Sequence, residues 1–430
     1  MKLATEFVKL PWRFDAGRLA AELAQFEGEP WMDHPDRTEG NSALALISCD
    51  GGDNNNFRGE MKPTPHLARC PYVQQVIAAI GEVFGRSRFM RLAAGCEVVE
   101  HVDYHYHWQH HVRIHVPVVT NPAVDFHCGE AVVNMQAGEC WIFDSWRRHR
   151  VVNAGSETRT HLVLDTAGSS RFWETVRRAQ AAEAAGTPLA PHVVPWDASA
   201  RPEILTERYN LPPVMSPGEV DHLTEDLIAE LRAVPSNDPA RLAATEQLMR
   251  DFCHDWRALW YRHGIHPAGW PQYANLVART SRAMPEAEPP LLLGNLSEAK
   301  AVFSARVLSV ALSRDVYEDY AGRGAARAGP SAPSAAAAAE TPEPAAATNG
   351  ESRCPCGSGL RYRYCHGASR PARCASLSSP APRDGARPPC GAPRPSSARG
   401  RGPPVPDGAW HRAVTAGCRP GTPPVARSSR

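Results

Sequence analysis

Apolar and polar positions along the chain change rhythm near residue 178. Before that point, short apolar runs alternate with polar residues at a period of two, which predicts β-strands. The runs lie at residues 88–92, 98–102, 113–119, 132–135, 140–143, 149–152 and 161–165, separated by Gly, Pro, Asn and Asp. Two amphipathic stretches, "AGRLAAELAQF" and "CPYVQQVIAAIGEVFG", predict helices ahead of most of them. No helical pattern alternates with the strands, which favours an antiparallel jelly roll over a doubly wound parallel sheet. The polar stretch "SCDGGDNNNFRGEMKPTPHL", residues 48–67, reads as a loop between helical segments that can fold over a pocket.

From residue 179 to about 320 the period becomes helical. Ser216 caps a helix with Pro217 in its first turn and Glu219 placed to close a capping box. Val220, Leu223, Leu227, Ile228 and Leu231 follow on one face. A second helix begins at Asp238-Pro239, carries Leu242, Met249, Phe252, Trp256 and Leu259, and stops at Gly264; a third runs from Ser297 to about Leu312. These stripes need a partner surface, so the region is expected to be a packed accessory bundle. Residues 321–350 are an Ala/Pro/Gly linker, and 368–430 hold one Leu, one Trp and no Ile, Phe, Tyr or Met, too little to bury a core.

The net charge of +1 in 430 residues points to neither a specific nucleic-acid partner nor a membrane surface. It conceals a local excess: residues 368–430 carry eleven arginines and no lysine against Asp384 and Asp407. Such a composition also arises when a GC-rich strand is read out of frame, so the tail identifies no function. The start has no signal-like apolar core, and no run is long and apolar enough for a membrane span. The expected compartment is the cytoplasm, where the twelve cysteines would be thiols or metal ligands.

Candidate chemistry concentrates in "EHVDYHYHWQHHVRIHVPVVTNP", residues 100–122. His101 and Asp103 are two apart, so on a strand both project to one side. A ferrous oxygenase needs two imidazoles and a carboxylate on one face of the ion. The second imidazole is expected from His149 in "ECWIFDSWRRHRVVN". Ten residues later, Arg159 opens the strand-like "RTHLVLDT"; a buried arginine there calls for a carboxylate, as 2-oxoglutarate would supply. His105, His107, His110 and His111 fit no second ligand set and read as loop residues at a pocket mouth. His127 and His161 divide between hydrogen bonding behind the ligands and solvation, and Arg91 reads as structural.

With these residues in view, 88–166 resembles the aspartyl/asparaginyl β-hydroxylase family of 2-oxoglutarate- and Fe(II)-dependent oxygenases, which includes bacterial proline hydroxylases. The matching stretches are "RLAAGCEVVEHVD", "RIHVPVVTNP", "AGECWIFD" and "RRHRVVNAGSETRTHLVLDT". The resemblance implies a mainly β, cupin-like double-stranded β-helix over residues 1–178. It implies iron on His101, Asp103 and His149, 2-oxoglutarate on Arg159, His115 beside the co-substrate, and Arg113 facing co-substrate or substrate. The presence of Asp103 makes the chain look more like the bacterial branch.

A separate motif, "RCPCGSGLRYRYCHG", spans residues 352–367. Cys354, Cys356, Cys365 and His366 are a tetrahedral zinc set, and the pattern resembles the SEC-C motif. That resemblance implies docking of the module on a protein or ribosomal surface. The reading favoured is a dioxygenase that uses O2 to hydroxylate an amino-acid, peptide or protein side chain. One alternative is a non-catalytic adaptor built on the barrel and zinc motif. Another is a metal cupin without co-substrate, which would have no need of a buried Arg159.

Overall fold

The computed structural model describes residues 1–33, 39–286 and 288–316, and the structural statements below concern these. Strands β1 (Phe7–Leu10), β2 (Trp12–Arg13), β3 (Met32–Asp33), β4 (Asn41–Cys49) and β5 (Met61–Pro63) come first. Then follow β6 (Phe84–Leu92), β7 (Glu97–His101), β8 (Val112–Val119), β9 (Val124–Cys128) and β10 (Ala131–Val133). The set closes with β11 (Cys140–Phe143), β12 (His149–Asn153), β13 (Arg159–Thr166) and β14 (His192–Val193).

The larger sheet has the order β1-β11-β8-β13-β6-β4-β3, with β5 beside β4; the smaller is β10-β9-β12-β7. All of their pairings are antiparallel, and from β6 to β13 the chain passes back and forth between the two sheets. This is a double-stranded β-helix, as expected. The seven strands expected between residues 88 and 165 are present, most of them one to four residues longer or shifted by a residue or two. β1, β4 and β9, among others, lay outside the expectation. β4, "NSALALISC", is buried along its whole length, so it lacks the alternation that marks a half-buried strand.

The larger sheet has two different faces. Leu44, Leu46, Phe89, Ile114, Val116, Leu162 and Leu164 join an apolar cluster with the helices Ala16–Ala24, Pro71–Ile80 and Ser170–Ala184. The last of these crosses residue 178 and contributes Phe172 and Val176 to that cluster. The other face turns toward the smaller sheet. A minor cluster there joins Leu92, Phe126, Met135, Phe143 and Val151. Gly138, at φ +78°, makes the turn into β11; a Cβ on it would stand 2.3 Å from the Phe14 carbonyl oxygen, so no other residue fits.

Helices Pro217–Arg232 and Pro239–His263 stand where expected, and Trp270–Ala283, a helix the sequence reading did not mark, packs with them; Trp256, Phe252 and Leu223 are fully buried. Residues 299–311 are helical with a π turn at Ser304–Leu308. Ser216 caps the first helix by accepting from the Glu219 amide. The Glu219 carboxylate does not return to the cap; it accepts from Tyr106 and pairs with His110. Partners more than a hundred residues away thus replace the local capping box. The bundle also holds the chain that follows β7. Arg306 is fully buried, lies over the Trp146 ring and donates to the Tyr104 carbonyl and to Asp226. Among the described residues, no helix is long and apolar enough to cross a membrane.

Candidate metal and anion site

β7 and β12 pair so that His149 lies opposite His101, and their ring centroids are 4.2 Å apart. Asp103 follows just past the end of β7, where its amide donates to the Ser145 carbonyl. Ligand atoms of His101, Asp103 and His149 all lie within 4.8 Å of one another. Each histidine uses Nδ1 against a backbone carbonyl: Val99 at 2.8 Å for His101, Arg147 at 2.9 Å for His149. A carbonyl can only accept, so Nδ1 carries the proton and Nε2 keeps its lone pair for the site.

His149 Nε2 and Asp103 Oδ2 are buried and make no hydrogen bond. Arg113 comes within 3.3 Å of Asp103 Oδ2 as an ion pair without hydrogen-bond geometry. Burial pulls His149 down to about 4, so it is a neutral imidazole at ordinary pH. Burial works against ionisation of Asp103, but Arg113, His149 and His101 together hold it below the usual carboxylate range. Two lone pairs and one carboxylate converging with orphaned atoms are a donor set suited to a divalent transition metal. The three residues named from the sequence are therefore brought together.

Arg159 opens β13 and reaches His149 only through a chain of side chains. All eight residues of β13 are buried, and alternation sends Leu162 and Leu164 into the apolar cluster while Arg159, His161 and Asp165 face the smaller sheet. Arg159 Nη2 donates to His161 Nδ1 at 2.7 Å, and His161 Nδ1 is 3.3 Å from His115 Nδ1. His115 packs edge-on against Phe126 and Phe143, and Phe143 packs on His149 at 4.8 Å. Burial alone pulls Arg159 down to about 9, with no acidic group offsetting it, and its Nε has no partner. Burial also drives His115 and His161 well below the ordinary imidazole range, so both are neutral. His161 is thus an internal hydrogen-bonding residue and not a solvated one.

Other histidines correct the sequence reading. Tyr106–His110 forms a short helix rather than a loop, and His107 and His111 are buried, though both still line cavities. Their rings stack at 4.0 Å; His107 Nε2 meets Asp165 at 3.2 Å, and His111 Nε2 meets Glu207 in a very short contact. His127 stays on the outer register of β9, half-buried. Arg91 lies over Trp31 and donates to Ser42, a structural role as expected.

Sequence reasoning missed Arg86, Arg88 and Asp165. Arg86 Nε is 3.7 Å from Asp165, and Arg113 Nε is 3.9 Å from the same carboxylate. The polar stretch 48–67 connects β4 to β5 rather than two helices, and within it Asn55 meets both arginines. Its side-chain oxygen accepts from Arg88 and its backbone carbonyl from Arg86. The available signal was "RSR" at 86–88, two long cations two apart in an otherwise apolar strand. The cysteine motif and Cys354, Cys356, Cys365 and His366 lie outside the described residues.

Residues 54–168 match the model of the aspartyl/asparaginyl beta-hydroxylase family, and residues 352–368 match the SEC-C motif. The chain is 25% identical over 174 residues to L-proline cis-3-hydroxylase 1 of a Streptomyces species, covering 38% of this chain. It spans 58% of that relative's length. Among solved structures, it is similar to an oxidoreductase of the 2OG-Fe(II) oxygenase family from Burkholderia pseudomallei, at TM-score 0.28 and 15% identity. That match covers 38% of this chain and 85% of the other. A prolyl-4-hydroxylase from Pseudomonas putida is matched at TM-score 0.27 and 15% identity, over 38% of this chain and 94% of the other.

Proposed function

We propose that the chain is a 2-oxoglutarate-dependent ferrous dioxygenase that hydroxylates an amino-acid or peptidyl side chain. The carrying observation is the convergence of His101, Asp103 and His149 on one point, with Nε2 of His149 and Oδ2 of Asp103 buried and unpartnered. A buried guanidinium without an acid on the same interior surface, at Arg159, supports 2-oxoglutarate as the second component. The likeness to a proline hydroxylase agrees with this chemistry.

In this reading His101, Asp103 and His149 hold the iron, and Arg159 pairs with the distal carboxylate of 2-oxoglutarate. Fe(II) with 2-oxoglutarate supplies oxidative decarboxylation of the keto acid and hydroxylation of a C–H bond by O2, yielding succinate and carbon dioxide. The protein orients the components. Val99 and Arg147 carbonyls aim the two imidazoles, and Ser145 holds the Asp103 amide. Phe126 and Phe143 keep the surrounding wall dry, which limits stray oxidation. His115, neutral and fixed beside His161, donates or accepts a hydrogen bond to the co-substrate, and Arg113, within 3.3 Å of Asp103, faces the metal site from the Asp165 end.

Anaerobic addition of Fe(II) and 2-oxoglutarate should produce a weak visible charge-transfer band that His149→Ala abolishes. Absence of the band, together with no succinate in air, would overturn the assignment. The zinc reading of Cys354, Cys356, Cys365 and His366 and protein docking by that module belong to the same proposal. Zinc content of the chain before and after removal of residues 352–367 tests the metal.

A further inference from the structure

The helical bundle reaches the two chain segments that carry Asp103 and lead to His149. One is residues 102–105, between β7 and the short helix Tyr106–His110; the other is residues 144–148, running from β11 into β12. Arg306, 1% exposed, donates from Nε to the Tyr104 carbonyl at 3.2 Å and from Nη1 to Asp226 at 3.1 Å. Asn295, also buried, donates from Nδ2 to the Trp146 carbonyl at 3.1 Å. The Trp146 ring lies 4.2 Å from the Arg306 guanidinium and belongs to the same apolar cluster as Leu223 and Trp256 of the bundle.

Both anchor points adjoin the groups that shape the site. Tyr104 follows Asp103 directly, and Asp103 lies past the end of β7, outside the strand ladder. Trp146 stands between two carbonyls with a positioning task. The Ser145 carbonyl accepts from the Asp103 amide at 3.0 Å, and the Arg147 carbonyl faces His149 Nδ1 at 2.9 Å. The bundle therefore holds the chain one residue after the carboxylate and one residue from each carbonyl that orients a ligand. Arg306 sits in the π turn Ser304–Leu308, and such turns are rare and frequently found at functional sites. A buried guanidinium–carboxylate pair is often no more stabilising than apolar residues of the same volume, so packing of bundle on barrel does not by itself call for Arg306.

We propose that Arg306 and Asn295 are positioning residues for the metal site: from the bundle they clamp the Tyr104 and Trp146 carbonyls, and so hold Asp103 and His149 in place for one divalent cation. The helical region then contributes to the metal centre instead of being an appendage of the barrel. This rests on the reading of His101, Asp103 and His149 as metal ligands, and the test separates the two.

The experiment titrates the full chain with Co(II), whose visible bands report coordination geometry without any turnover. The unaltered chain should bind Co(II) with bands that His149→Ala abolishes. Arg306→Gln should weaken Co(II) binding by about 10- to 100-fold and shift the bands, as loss of groups that orient metal ligands does. Asn295→Ala, which loses one neutral hydrogen bond, should weaken it by about fivefold. Leu276→Ala, a change in the bundle core that removes no hydrogen bond to either segment, should lower the unfolding midpoint and keep both bands and affinity. Unchanged bands and affinity in both Arg306→Gln and Asn295→Ala, or an equal loss in Leu276→Ala and Arg306→Gln, overturn the clamp and leave the metal site standing. No Co(II) bands in the unaltered chain overturn the metal reading and the clamp with it. If Arg306→Gln does not fold, hydrogen exchange of the unaltered chain decides. Coupling is reciprocal, so Co(II) should slow exchange at residues 299–311 more than at 270–283, and equal or absent slowing overturns the clamp.

Discussion

The two ends of β13 put buried cations to work in different ways. At the first end, Arg159 donates to a neutral histidine and faces no acid. At the other, Arg86 and Arg113 share Asp165, and a loop residue supplies neutral acceptors to Arg86 and Arg88. Asp165 is six steps along the extended strand from Arg159, about 20 Å at the usual rise. His115, opposite Val163 between them, is the contact through which the wall reaches His149. The contrast teaches that one alternating strand can face buried cations at both ends, one left without an acid, the other offset by Asp165 and by neutral oxygens of a loop residue.

The contrast can be broken at its centre first. His149→Ala should reduce succinate formation to background and abolish iron binding measured by metal analysis, since it removes one of the three ligands. Next, Arg159→Met should raise the KM for 2-oxoglutarate by about 10²-fold, as expected for removing one partner of a buried charge pair. A smaller effect is expected from Asn55→Ala, which removes an acceptor from the buried Arg88 guanidinium and should lower stability by about 1–3 kcal/mol, read by urea unfolding.

Stability against pH separates the stacked histidines at the loop-covered end. Burial, then the neighbouring His111, pulls His107 down to about 3. The unfolded chain therefore takes up a proton near the ordinary histidine value of 6.5 that the folded chain refuses until about 3. Stability from this residue is complete above about pH 6.5 and declines as pH falls toward 3. His111 has the opposite sign: burial opposes its charge, but Glu207 prevails and raises it. Its contribution is complete below 6.5 and is lost as pH rises through its folded value. Urea unfolding of the full chain and of His107→Phe between about pH 4 and 8 should show the variant losing less stability on acidification.

Much of this was legible before any fold was known. Period-two runs marked most of the barrel strands, and cap residues marked the helices at Ser216 and Asp238 within a residue. His101, Asp103, His149 and Arg159 were legible as candidates because such side chains are unusual in strands; the spacing of His101 and Asp103 is local, but only the pairing of β7 with β12 brings His149 to them. β4 was hidden by being buried on both sides, and the capping-box expectation failed because Glu219 found Tyr106 and His110, more than a hundred residues away.

The amino-acid order alone thus determined which segments could be strands or helices and which side chains could hold a metal, because periodicity and ligand type are properties of neighbours in the chain. Tertiary structure decided that Arg86, Arg88, Arg113 and Asp165 share one end of the barrel, that Asn55 covers them, and that His107 and His111 are buried. Those facts depend on strand register and on which face each strand turns inward, and both are chosen by packing across the whole molecule.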